Sequence, residues 1–185
     1  MSEQKPQTTE GKGLLSSPSF SPPNKLVQAD YEKALGRLTI RFSWLHYFLE
    51  TFGWKVWGLN PTSGSILTKD LQTKHLVIKL RDSSKYAIPR DHDRKRFISI
   101  LNRIEKAAEK RNDLLHSLWI FHGPSVGRFN KKSPNLESFT TLQDIEQLNR
   151  SLMEITIDLA EFKDSGPVKA PLVAALEDYI RSKDK

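Results

Sequence analysis

With 185 residues, 37% of them hydrophobic and 9% aromatic, the chain has the size of one domain with a packed core. A mean hydropathy of −0.52 and the lack of any run of about 18 apolar residues exclude a membrane-spanning helix, and the lack of cysteine excludes disulfides, thiolate metal sites and cysteine nucleophiles. A net charge of +7 is moderate and by itself identifies no partner.

The opening residues, MSEQKPQTTEGKG, show no basic-then-apolar leader pattern, so a cytoplasmic protein is expected. Residues 1–25 are rich in Ser, Pro, Gln and Thr, bury too little to offset their ordering entropy, and read as a disordered tail. A helical bundle is expected over 26–165. Its first helix runs from about Leu26 to Trp57, because Leu35, Leu38, Phe42, Leu45, Leu49, Phe52 and Val56 recur at spacings of three and four. Asn60, Pro61 and Gly64 are read as its stop. A second helix is expected over Leu67–Leu80, followed by a polar turn around Asp82–Pro89, and a third over Asp91–Trp119. Gly123, Pro124, Gly127 and Pro134 then mark a loop too long to be a plain connector, and Leu118–Phe121 is the one strand candidate. Thr141 and Asp144 have capping-box spacing ahead of a fourth helix carrying Ile145, Leu148, Leu152, Ile155, Leu159 and Phe162. Residues 166–185 form a linker and a short C-terminal helix opened by Pro171. The expected fold is all-α, an antiparallel four-helix up-and-down bundle.

Charge is unevenly distributed. Between Lys69 and Arg111, thirteen cations face six carboxylates, an excess equal to the net charge of the whole chain, +7. A bundle with one basic side suits a phosphate backbone, while a solvated helix face explains the same residues without a ligand. Trp44, Trp54, Trp57 and Trp119 read as core or dimer packing. His46, His75, His92, His116 and His122 show no metal-ligand spacing, and phosphate-binding glycine loops are missing, so neither metal nor cofactor is expected.

The third helix departs from its own pattern. With about 100° per residue and Phe97 as zero, its apolar residues span roughly −100° to +40°, and Arg111 falls near −40°, inside that stripe. A cation there is costly unless it is ion-paired, for which Glu50 or the acidic residues of the fourth helix are candidates, or unless it faces a polar site. Asn112 and His116, four residues apart, flank the stripe and can approach one ligand together. An imidazole can take a proton from a ribose 2′-hydroxyl and return one to a leaving oxygen, and a guanidinium can grip a phosphate through two hydrogen bonds. One histidine would have to play both parts unless a second copy at a twofold axis supplies the other, which makes a homodimer with a composite cleft the natural assembly.

Arg111-Asn112-Asp113-Leu114-Leu115-His116, RNDLLH, resembles the R-x4-6-H motif of the HEPN superfamily in its RN-x3-H form, and Ser117-Leu118-Trp119 is similar to small bacterial members that close the motif with an aromatic residue. The resemblance covers about Leu35 to Phe162. It implies a helical bundle, usually dimeric, with the motif at the dimer interface. It further implies a metal-independent endoribonuclease of the kind found among toxins and defence effectors, with an antitoxin protein as a further partner. Arg111 is then the phosphate-binding cation, His116 the acid/base and Asn112 the polar helper. Arg94, Lys95, Arg96, Lys110, Arg128, Lys131 and Lys132 are the RNA-binding candidates. Where such members carry a carboxylate on the first helix this chain has His46, which either alters the polarity of the cleft or marks a non-catalytic member. From the residues alone, His46 reads as a boundary residue of its helix. The competing reading is a non-catalytic helical module for dimerisation or for binding a nucleotide or protein.

Overall fold

The computed structural model describes residues 24–122, 125–129 and 140–165. They form five helices, α1 (Lys25–Trp57), α2 (Pro61–Thr68), α3 (Thr73–Ala87), α4 (Asp91–Leu115) and α5 (Leu142–Asp164), and a hairpin of β1 (Leu118–His122) and β2 (Ser125–Phe129). Residues 1–23 of the expected tail and the whole segment 166–185 lie outside the described residues. No helix among the described residues is long and apolar enough to cross a membrane.

In α1 the expected apolar face is buried through Leu38, Phe42, Leu45, Leu49, Phe52 and Val56, and the Asn24 side chain caps the first turn by accepting from the N–H groups of Leu26 and Val27. The helix ends where Gly58 takes φ 67°, a left-handed conformation, and its N–H closes on the carbonyls of Lys55 and Trp54. Asn60 and Pro61, read as a stop, begin another helix instead. Asn60 Oδ1 accepts from Ser63 N–H at 2.9 Å, and Pro61 sits in the first turn, where its missing N–H costs nothing. Gly64 lies inside α2, where a Cβ would meet the Trp54 ring at 2.4 Å, so α2 packs directly against α1. The expected 67–80 helix is therefore divided between the end of α2 and α3.

Helix α3 continues through the expected polar turn, and within it the hydroxyls of Ser83 and Ser84 bond back to the carbonyls of Lys79 at 2.8 Å and Arg81 at 2.7 Å. Ile88, preceding Pro89, is extended and ends it. Helix α4 stops at Leu115, short of the expected Trp119. His116 is its C-cap, with its N–H on the Asn112 carbonyl at 3.0 Å, and the Ser117 hydroxyl returns to the Asp113 carbonyl. The strand candidate pairs with β2, Ile120 standing opposite Gly127, so part of the expected long loop is a strand. The capping box forms: Thr141 N–H donates to Asp144 Oδ2 at 2.9 Å and Asp144 N–H to Thr141 Oγ1 at 3.2 Å.

Pairs across the interfaces give the helix directions. Arg37 meets Glu146 and Lys55 Nζ meets the Lys163 carbonyl, so α5 runs parallel to α1. His46 meets Thr73 and Trp57 meets Ser83, so α3 is parallel to α1 as well. Helix α4 opposes α1, with Arg111 over Phe42 at one end and Phe97 against Phe52 at the other. The four long helices thus do not alternate as the expected antiparallel up-and-down bundle requires; α2 makes an additional reversal, carrying the chain from the end of α1 back to the level of His46. Phe52, Phe97 and Phe162 form an aromatic cluster at one end of the core, with Phe97 to Phe52 at 4.9 Å and to Phe162 at 5.2 Å between ring centroids. At the opposite end Trp119 lies 5.6 Å from Tyr31 and donates Nε1–H to the Leu114 carbonyl, seating the hairpin on α1. Trp54 and Trp57 also pack as expected, whereas Trp44 is 62% exposed.

Candidate functional site

Along α4 the side chains of Phe97, Ile100, Leu101, Ile104 and Leu114 are buried, and Arg111 stands in the same stripe. Its guanidinium carbon lies 5.0 Å from the centre of the Phe42 ring, a cation–π contact, and Nη1 donates to Asn112 Oδ1 at 3.0 Å. Nε is buried without a hydrogen-bond partner, and burial pushes the guanidinium below its ordinary pKa. The candidate ion-pair partners are engaged elsewhere. Glu50 Oε1 lies 3.8 Å from His46 Nε2, while Glu146, Asp158 and Glu161 of α5 pair with Arg37, Arg103 and Arg96. Among the described residues no carboxylate forms an ion pair with Arg111.

Arg111, Asn112 and His116 line one open cleft of about 590 Å³. Its walls are α1 through Phe42, Ser43 and His46, the approach to α3 through Leu71, Gln72, Thr73 and Lys74, and α4. Asn112 and His116 are exposed. Because His116 caps α4, its ring stands where the helix gives way to β1 rather than within a continuing helix. His46 joins them in the same cleft, with Nδ1 sharing a 2.9 Å hydrogen bond with Thr73 Oγ1. From the residues alone His46 read as a boundary residue of its helix, and the family resemblance made it a residue altering the polarity of the cleft or marking a non-catalytic member; the structure brings its side chain into the cleft wall.

The expected RNA-binding cations do not form one surface. Arg94 and Lys95 line a separate groove of about 350 Å³ between α3 and α4, together with Arg81 and Lys85, and both also pair with Asp91. Arg96 turns to the other side, towards Glu161 and the Phe162 ring, because three consecutive helical residues span about 200°. Lys110 and Arg128 line a third concavity with Asp113 and Asp144. Lys131 and Lys132 lie outside the described residues. Glu105 and Glu109 belong to the wall of the main cleft, Glu105 paired with Arg81 at 2.9 Å. Among the described residues no three His, Asp or Glu side chains converge in a metal-binding group.

No protein-family model, characterised protein or solved structure matches this chain. The functional reading rests on the cleft.

Proposed function

We infer that the protein is a metal-independent endoribonuclease of HEPN type, a toxin or defence effector acting on RNA as a homodimer. The observation that carries this reading is the convergence of Arg111, Asn112 and His116 on one open cleft, with the Arg111 charge unmatched by any described carboxylate. A half-buried guanidinium resting on an aromatic ring is already oriented and partly desolvated, so a phosphate replaces solvent at little reorganisation cost. His116 is exposed on the same cleft and supplies acid/base help to the 2′-hydroxyl and the leaving oxygen.

An apolar seam supports the homodimer. Ile40, Trp44 and Tyr47 of α1 and Met153 and Ile157 of α5 are all exposed, and a second copy seated on them would remove a large apolar surface from water. Ser43 and His46 of the cleft interleave with Trp44 and Tyr47 along α1, so such a partner reaches the cleft's rim and the active site lies at the interface.

The deciding experiment is cleavage of RNA by the purified protein in EDTA. Wild type is expected to cut, and His116→Ala to lose at least about a hundredfold, the scale of general acid/base help. Equal cleavage by both proteins overturns the reading. The second reading, a non-catalytic nucleotide- or protein-binding module, is favoured by Glu105 and Glu109 in the cleft wall, which repel a polyanion. Its outcome is saturable binding of a nucleoside monophosphate with no RNA product.

A further inference from the structure

The ribonuclease reading gives each subunit one imidazole and draws the second from a partner copy. The cleft already contains two. His46 and His116 line it from different walls, α1 and the end of α4. Phe42, the seat of the Arg111 guanidinium, lies one helical turn from His46 on α1, and Asn112, which Arg111 bonds, lies one turn from His116 on α4. A phosphate held by Arg111 therefore has an imidazole on either side.

The His46 ring is also held in place by contacts on both nitrogens. One nitrogen, Nδ1, shares a 2.9 Å hydrogen bond with Thr73 Oγ1, while Nε2 lies 3.8 Å from Glu50 Oε1, near enough to pair with its charge and too far for a hydrogen bond.

We propose that His46 and His116 of the same subunit are the acid/base pair, working on a phosphodiester gripped by Arg111. This deepens the ribonuclease reading and rests on it. One imidazole takes the proton of the ribose 2′-hydroxyl, and O2′ forms a bond to phosphorus. The bond from phosphorus to O5′ breaks, and the other ring, starting as imidazolium, gives its proton to O5′. The products are a 2′,3′-cyclic phosphate and a 5′-hydroxyl, and each ring ends in the protonation state in which the other began. The charged groups around the two rings are Glu50 on α1, Lys74 on α3, and Glu105, Glu109 and Arg111 on α4.

The test uses the full chain and a single-stranded RNA oligonucleotide. His46→Ala is expected to lose at least about a hundredfold in kcat/KM and one limb of the bell-shaped pH profile. His46→Asn, which keeps a hydrogen-bonding group facing Thr73, is expected to lose the same limb while retaining the wild-type melting temperature. A role confined to structure would lower the melting temperature and leave both limbs in place. Mixing His46→Ala with His116→Ala protein is expected to restore nothing, because each cleft still lacks one ring; recovered activity would place the pair across two subunits and overturn the proposal, as would wild-type cleavage by His46→Ala. If wild type cuts no RNA, the ribonuclease reading fails. The pairing is then tested by titrating uridine 3′-monophosphate while following the imidazole NMR signals: shifts at both His46 and His116 support it, and shifts at one or neither overturn it.

Discussion

The guanidinium of Arg111 and the ring of Phe42 form a cation–π pair across the α1–α4 interface, 5.0 Å from guanidinium carbon to ring centre. Elsewhere in the bundle, guanidiniums reaching between helices meet carboxylates: Arg37 with Glu146, Arg81 with Glu105 and Arg103 with Asp158. Arg111 rests on an aromatic ring instead, and its surroundings give the first prediction.

Replacing Arg111 with Met keeps the packing on Phe42 and removes a half-buried cation that has no described ion pair. Stability in urea is expected to stay within about 1 kcal/mol of wild type or to rise, since no buried charge is left stranded, while RNA cleavage or nucleotide binding is lost. A large drop in unfolding free energy would instead identify Arg111 as a structural residue.

The three consecutive cations of α4 are expected to act differently. Neutralising Arg94 and Lys95 together, which line the α3–α4 groove, should weaken RNA binding and flatten its salt dependence, by about 0.7 in log–log slope for each phosphate of a single strand that is no longer neutralised. Arg96→Gln, which faces Glu161, should leave the slope unchanged. Filter binding between about 50 and 200 mM salt reads both; identical slopes for all three proteins would contradict the division.

At the start of α5, Thr141→Ala removes the cap and is expected to cost about 1 kcal/mol at neutral pH. The Thr141 hydroxyl, and next its backbone N–H, hold the Asp144 carboxyl below the usual carboxylate range. A depressed folded pKa contributes stability that is present above the unfolded carboxylate value of about 3.9 and disappears as pH falls through the folded one. The gap between wild type and Thr141→Ala should therefore be full at pH 7 and narrow below about pH 4. Thermal melts at the two pH values check it, and a gap that widens in acid would refute the assignment.

Trp44→Glu puts a charge into the exposed seam without touching the core, as Trp44 is 62% exposed. Its melting temperature is expected to hold in dilute solution, while sedimentation is expected to show the proposed homodimer shifted to monomer. An unchanged dimer would move the interface to another face.

Much of this architecture was legible in the residues. The buried positions of α1, the capping box at Thr141 and Asp144, and the anomaly at Arg111 all followed from local periodicity, which is the physics that the chain expresses locally. Asn60-Pro61 was ambiguous because the same dipeptide that stops one helix caps the next. Strand β2 gave little signal, since Val126 is its one described buried side chain and Gly127 lies at its centre. Trp44 stands about 200° from the buried Phe42 on the helical wheel, so its exposure was readable; its size argued for burial and its angle was right. The meeting of His46 with Thr73 and with the RNDLLH motif was not readable, because it depends on α3 running parallel to α1.

That parallel arrangement makes α2 a ruler. Its eight residues, pressed against Trp54 through Gly64, set how far the chain steps back before α3 starts, and hence which turn of α3 stands beside His46. One residue inserted within it would turn its last residue by about 100° and advance it by about 1.5 Å, moving the point from which the link to α3 departs and displacing Thr73 from the imidazole while leaving every cleft residue in the chain. The spacing across the cleft is thus set by a segment that contributes no side chain to it.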